Sequence, residues 1–284
     1  VRDGDDSNGD ADSDPDACGA RHAFMSHIYA LVNQKGGVGK TTTTINLGAY
    51  LAQLGQRVLL VDMDAQANAT SCLGIDKRTV ESGIYELLMD DKPLADCTLV
   101  NTKLNISIIP SSPSLSGAEV ELVNELARES RLKTRLKPTL KQYDYILLDC
   151  PPSLSLLTLN ALVAAESVII PVQCEYLALE GLGQLAQTIN RVRNAMNTHL
   201  HIRGLLMTMF DVRATLSTQV VEEVRKHFPG KIFHTIIPRN VRIAEAPSHG
   251  LPISAFAPSS PGGQAYLALA EELLKSDKKL DNEN

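Results

Sequence analysis

Lys35-Gly36-Gly37-Val38-Gly39-Lys40-Thr41-Thr42 has the spacing of a phosphate-cradling loop, with one departure. The closing Gly39-Lys40-Thr41 is present, but Gln34 stands where the pattern has its first glycine, and Lys35 is an added cation. Glycines let successive backbone N–H groups turn inward around a phosphate, and the positive end of a following helix adds to the attraction. In such a loop Lys40 reaches the β- and γ-phosphates and the Thr41 hydroxyl takes a position on Mg²⁺. The flanks fit this chemistry. His27–Asn33 reads as a buried strand, and Thr41–Leu54 places Ile45, Leu47, Ala49, Leu51 and Leu54 at helical spacing.

Outward from the loop the chain alternates. Arg57–Asp62, Asn105–Ile109, Tyr143–Asp149, Ser167–Pro171, Ile202–Phe210 and Lys231–Ile237 are β-rich apolar runs. Helical stretches at Gly117–Ala127, Ser155–Ala165, Glu180–Met196 and Ser217–His227 separate most of them, and Gly262–Lys275 is the last helix. Strands rich in Val, Ile and Leu with little alternation are covered on both faces. The pattern predicts the α/β class: a doubly wound, mostly parallel sheet with helices on both faces and ligands at the carboxyl ends of its strands. One domain is expected over 25–276, with a flexible polar end at 277–284. Residues 1–24 hold seven aspartates and two arginines among glycine and serine, which predicts a disordered acidic tail without the apolar stretch of a signal peptide.

Composition narrows the function classes. A chain of 284 residues that is 44% apolar supports one sizeable core. No apolar run reaches the ~18 residues that span a membrane. Cys18, Cys72, Cys97, Cys150 and Cys174 are scattered, without a Cys-x-x-Cys pair, and read as reduced thiols of a cytoplasmic protein. Of the net charge of −6, the tail carries −5. The rest of the chain is near neutral and has room for a local basic patch. His199 and His201 form a His-x-His pair, read as a solvated helix–strand connection.

Two strands end in carboxylates. Val58-Leu59-Leu60-Val61-Asp62-Met63-Asp64 places Asp62 and Asp64 two apart, on one face if the strand continues. Tyr145-Ile146-Leu147-Leu148-Asp149 ends in the aspartate that a phosphate loop needs for Mg²⁺, followed by the stiff pair Pro151-Pro152.

Asn33 to Thr42 resembles the deviant Walker A box of the ParA/MinD family of P-loop ATPases, and from about Met25 to Lys275 the chain looks most like the chromosomal ParA, or Soj, members. The resemblance implies Mg²⁺-dependent ATP hydrolysis coupled to dimerisation and DNA binding, used to segregate chromosomes or plasmids. It implies that Lys35, Gly36, Gly37, Val38, Gly39, Lys40, Thr41 and Thr42 hold ATP, with Pro238 and Asn240 flanking the adenine. Thr41 and Asp149 then serve Mg²⁺, Asp64 orients the attacking water, and Asp62 has a supporting role. Lys35 crosses a two-fold interface to the partner's nucleotide, as an arginine finger does. Arg213 and Arg242 bind the DNA backbone without regard to sequence, and Arg225 and Lys226 extend their patch. The implied partners are a ParB-type centromere-binding protein, non-specific double-stranded DNA and a second copy of the chain, at the nucleoid. One departure stands out: Ala65 replaces the proline that follows the catalytic aspartate in the family.

Two relatives of the same loop offer other functions. A membrane-surface positioning ATPase like MinD needs a basic, amphipathic C-terminal helix. After Lys275 this chain reads Ser-Asp-Lys-Lys-Leu-Asp-Asn-Glu-Asn, with one leucine, so no stable membrane association is expected. An iron protein of the nitrogenase-reductase type needs paired cysteines for a cluster, and Cys97 and Cys150 lack the Gly-rich settings it requires.

Overall fold

The computed structural model describes residues 26–175 and 178–283. The expected acidic tail at 1–24 lies outside them. Seven strands run in chain order as β1 His27–Leu31, β2 Val58–Asp62, β3 Leu99–Asn101, β4 Ile106–Ile109, β5 Tyr145–Asp149, β6 Ser167–Gln173 and β7 His201–Thr208. The helices are α1 Lys40–Gln53, α2 Asn68–Cys72, α3 Ile84–Met89, α4 Leu115–Glu121, α5 Arg131–Leu136, α6 Leu156–Ala164, α7 Ala178–Ala195, α8 Thr215–His227, α9 Val241–Glu245, α10 Ile253–Phe256 and α11 Pro261–Glu283. The sheet order is β3-β4-β2-β5-β1-β6-β7, parallel except for β3, which pairs antiparallel with β4.

Successive residues of β1 bury into opposite cores, which is why the strand shows no polar alternation. Ala30 and Val32 join the side packed by α6 and α7, whereas Tyr29 and Leu31 join the side packed by α1 and α11. β1 lies between β5 and β6, so its loop opens at the middle of the sheet's carboxyl edge. Asp62 and Asp149 are register partners on neighbouring β2 and β5, which brings both carboxylates to that edge.

Two expectations need correcting. Lys231–Ile237 is not a strand. It follows β7 through isolated bridges at Leu205–Ile232 and Phe210–Pro238. Between them the Glu272 carboxylate of α11 accepts the N–H groups of His234 at 2.7 Å and Thr235 at 2.9 Å, which takes those donors out of a ladder. The expected flexible end at 277–284 is instead helical to Glu283. Asp277 is 1% exposed and accepts from Tyr145 Oη at 3.0 Å and Arg203 Nη2 at 2.8 Å, while Asp281 lies 3.4 Å from His27. Polar residues hold this helix to the sheet's amino edge, where hydrophobic periodicity gives no sign of it. Edge strand β3 is too short and too exposed to register as an apolar run.

One backbone contact joins distant segments. Gly74, after α2, and Gly250, before α10, both have left-handed φ, at 79° and 65°. A Cβ on Gly250 would lie 2.7 Å from Gly74 Cα, so Gly250 has no room for a side chain, whereas Gly74 is held to glycine by its left-handed φ.

Candidate active site

The loop between β1 and α1 is fixed from both sides. Asn33 Nδ2 donates to the Pro171 carbonyl at 2.8 Å, and Asn33 Oδ1 accepts Lys35 N–H at 3.0 Å. Thr208 Oγ1, at the end of β7, donates to the Val38 carbonyl at 2.9 Å. Gly37 and Gly39 take left-handed φ values of 74° and 91°, which turn the loop into α1. Lys40 lies across the loop, with Nζ 3.2 Å from the Lys35 carbonyl. Burial lowers its pKa, partly offset by the charges of Asp149, Cys150 and Asp64.

A cavity of about 410 Å³ opens over this loop. Gly36, Gly37, Gly39, Lys40, Thr41 and Thr42 line one side, and Asp64, Gln66, Asn68, Cys72, Pro152 and Met209 line the rest. The structure therefore brings together the loop, the carboxylate after β2 and Pro152 after β5. Pro238 and Asn240 do not line it. Pro238 bridges Phe210, next to Met209, and Asn240 caps α9 by accepting Arg242 N–H at 2.9 Å.

Asp149 is fully buried. Its Oδ1 accepts Thr44 Oγ1 at 3.2 Å, while its Oδ2 has no hydrogen-bond partner. Burial pushes its carboxyl well above the usual range, the Asp62 charge adds to this, and the Thr41 and Thr44 hydroxyls and Lys40 oppose it. An orphaned carboxylate oxygen beside the loop threonine fits a divalent cation, which supplies the missing partner and the missing positive charge. Thr44, one helical turn beyond Lys40, was not singled out by the loop pattern. An inward-facing hydroxyl on α1 is its only sequence signal.

Asp62 does not face the cavity. Its Oδ2 accepts both Thr70 N–H at 2.8 Å and Thr70 Oγ1 at 2.7 Å, and its Oδ1 accepts Asp64 N–H at 3.2 Å. These bonds tie Asp62 to α2 and to the backbone of Asp64. Asp64 is half-buried at the cavity wall, and its Oδ1 accepts Gln66 N–H at 2.9 Å. Lys35 reaches within its own chain to Glu175, with Nζ–Oε2 at 3.1 Å and both side chains nearly half exposed.

Arg213 and Arg242 lie outside the cavity, on loops past β7 and at α9. Their side chains are 84% and 60% exposed, paired locally with Asp211 at 2.8 Å and Glu245 at 2.9 Å. Val212 and Val241 beside them are also exposed. Arg225 and Lys226 are on the solvent face of α8.

Comparison with known proteins agrees with this arrangement. A family model described as an AAA domain matches residues 26–202. The chain is 55% identical over 249 residues to the sporulation initiation inhibitor protein Soj of Bacillus subtilis, covering 88% of this chain and 98% of that protein. It is 52% identical over 255 residues to the chromosome partitioning protein ParA of Myxococcus xanthus, covering 90% of each. Among solved structures, a Mycobacterium smegmatis protein described as cobyrinic acid a,c-diamide synthase with bound ADP and magnesium superposes with a TM-score of 0.80 at 36% identity, covering 89% of this chain and 96% of that one. A phosphate loop with its added lysine, an orphaned buried carboxylate oxygen that a divalent cation fits, and 55% and 52% identity to Soj and ParA over about nine-tenths of the chain lead to one conclusion: this chain belongs to the ParA/Soj family and is a Mg²⁺-dependent P-loop ATPase.

Proposed function

We propose that this ATPase partitions DNA, chromosomal or plasmid, by cycling between a monomer and an ATP-bound sandwich dimer that binds double-stranded DNA of any sequence. The observation that carries this reading is the pairing of a complete phosphate site with two strongly exposed arginines on the loops past β7 and at α9. The Lys35–Thr42 loop holds the phosphates, with Pro238 and Asn240 at the adenine beside Met209. Lys40 neutralises phosphate charge, and Thr41 and Asp149 hold Mg²⁺, which draws off charge as the γ-phosphate departs. Asp64 orients the attacking water from the cavity wall. In the dimer Lys35 leaves Glu175 for the partner's nucleotide, so ATP binding and association are one event. A ParB-type protein stimulates hydrolysis and so releases the DNA.

The site of action is the cytoplasm, on the nucleoid. The end of α11 supports this against a membrane-surface role, because Asp277 and Asp281 fasten it to the sheet. Among the described residues no helix is long and apolar enough to cross a membrane. The test is duplex DNA affinity against salt, with ATP and with ADP. Affinity should be at least ~10-fold higher with ATP, because two patches on one rigid dimer act at high effective concentration. Arg213→Glu or Arg242→Glu should abolish it while nucleotide binding and dimerisation persist. Alanine at either position should lower the salt slope by about 0.9 for each phosphate that is no longer neutralised. Equal affinity with both nucleotides, or no effect of either glutamate, refutes DNA as the matrix.

A further inference from the structure

We infer that Thr70 is a positioning residue for the hydrolysis step: through Asp62 it fixes the shape of the loop that presents Asp64. The inference rests on the water-orienting role proposed above for Asp64. Thr70 lies in α2, eight residues beyond Asp62 and outside every motif of the phosphate site. It has a fully committed hydroxyl. Its single proton goes to Asp62 Oδ2 at 2.7 Å, and its oxygen accepts Ser111 N–H, past the end of β4, at 2.9 Å. Its backbone N–H also goes to Asp62 Oδ2, at 2.8 Å. Asp62, Thr70 and Ser111 are all 0% exposed. One buried hydroxyl thus joins the end of β2, the start of the next helix and the strand beyond.

The loop inside this clamp needs an anchor. Asp64 is held locally: its backbone N–H goes to Asp62 Oδ1, its carbonyl accepts Ala67 N–H at 2.8 Å and its carboxylate accepts Gln66 N–H. Ala67 is in the left-handed region, with φ at 51°, a conformation that persists only where surroundings over-determine it. Lys77 Nζ also reaches the Gln66 carbonyl, but on an exposed stem that constrains little. The buried, directional anchor is Thr70. Ala65 occupies the position where a proline would stiffen the loop covalently, so its shape depends on hydrogen bonds instead. A carboxylate that positions water is sensitive to displacement: an error of about 1 Å can cost ~10²-fold in rate while ground-state binding is unchanged.

The test is a split of kinetic parameters in the full chain. Thr70→Val keeps the shape and removes the hydroxyl. Thr70→Ser restores it. Steady-state Mg-ATP hydrolysis, Mg-ADP affinity and thermal unfolding are measured for both. The expected result for T70V is a fall in kcat of at least ~10-fold with KM and Mg-ADP affinity within ~2-fold of wild type, and for T70S a kcat within ~3-fold of wild type. A T70V kcat within ~2-fold of wild type overturns the inference. So does a T70V loss shared equally by kcat and nucleotide affinity that T70S fails to rescue, because that describes a scaffold residue. Should T70V not fold, Thr70→Cys, with a weak donor of similar size, is judged by the same split. Asp64→Ala runs alongside. If it hydrolyses ATP at the wild-type rate, the reading of Asp64 fails, whereas a dead Asp64→Ala beside an active T70V removes Thr70 alone.

Discussion

Asp149→Asn should stabilise the nucleotide-free protein and abolish its response to magnesium. Asp62 and Asp149 are register partners on adjacent strands, about 4.8 Å apart by backbone spacing. At a pH high enough to ionise both, two carboxylates about 5 Å apart repel by about 3 kcal/mol at an effective dielectric near 20, so the gain is read in alkaline buffer. Asparagine removes that repulsion, and its Oδ1 can still accept the Thr44 hydroxyl. Its amide N–H₂, however, would sit where Oδ2 has no partner, at a cost of about 1–3 kcal/mol. The balance is a gain of about 1 kcal/mol, or a rise in Tm of roughly 2–4 °C. A ligand at 100 times its Kd stabilises the wild type by about 2.7 kcal/mol, and the magnesium-dependent part of that shift should vanish in the variant. The sign against pH follows. A carboxyl raised by burial binds its proton more tightly when folded, so wild-type stability without nucleotide should fall as pH rises from about 4 through neutrality. Asp149→Asn should flatten that slope, and Mg-ADP should offset it in the wild type. The chain has no tryptophan, so circular dichroism melts with EDTA, with ADP plus EDTA and with Mg-ADP suit the test. A variant with a lower nucleotide-free Tm and an intact magnesium-dependent shift would refute the placement of the cation at Asp149.

Lys35→Ala should retain ATP binding and nearly the wild-type monomer Tm, because its exposed pair with Glu175 is worth under ~1 kcal/mol, yet show no ATP-dependent dimer by analytical ultracentrifugation. A stable mutant dimer with normal turnover would show that the lysine does not act in trans. Asp64→Ala should bind ATP and dimerise while turnover falls by ~10²-fold or more, read as phosphate release; failure to dimerise contradicts a role limited to water. For His27 burial acts to lower the pKa, but the Glu166 hydrogen bond and the Asp277, Glu166 and Asp281 charges outweigh it, so the net shift is upward. Its contribution to stability is full at low pH and lost as pH rises through the raised value, so His27→Gln should lower Tm at pH 6 more than at pH 8. An equal loss at both values would assign His27 to packing alone.

The phosphate site was legible because backbone geometry forces particular residue types. Gly37 and Gly39 need left-handed angles, Lys40 must span the loop, and Asp149 must end a strand that is apolar throughout. The doubly wound sheet was legible for a similar reason, since strands buried on both faces cannot alternate. What hydrophobic spacing cannot express is polar packing. Glu272 interrupts the 231–237 ladder by taking two backbone donors, and Asp277 is buried by Tyr145 and Arg203 from strands far away in sequence. Thr44 and Thr70 look like ordinary helical threonines until the strands opposite bring carboxylates to them.

The meeting of Gly74 with Gly250 puts the segment after Asp64 in backbone contact with the segment that carries Arg242. Gly74 closes the stretch that begins at Asp64, and Gly250 closes the stretch that carries Arg242. Their backbones touch with no side chain between them to swing aside, so the junction acts as a hard stop. A shift of the segment after Asp64 toward Gly250 would press directly on the backbone of the segment that carries Arg242. With Asp64 and Arg242 in the roles proposed for them, the water-orienting stretch and the DNA-facing stretch would be in mechanical contact without any rearrangement of the sheet beneath them.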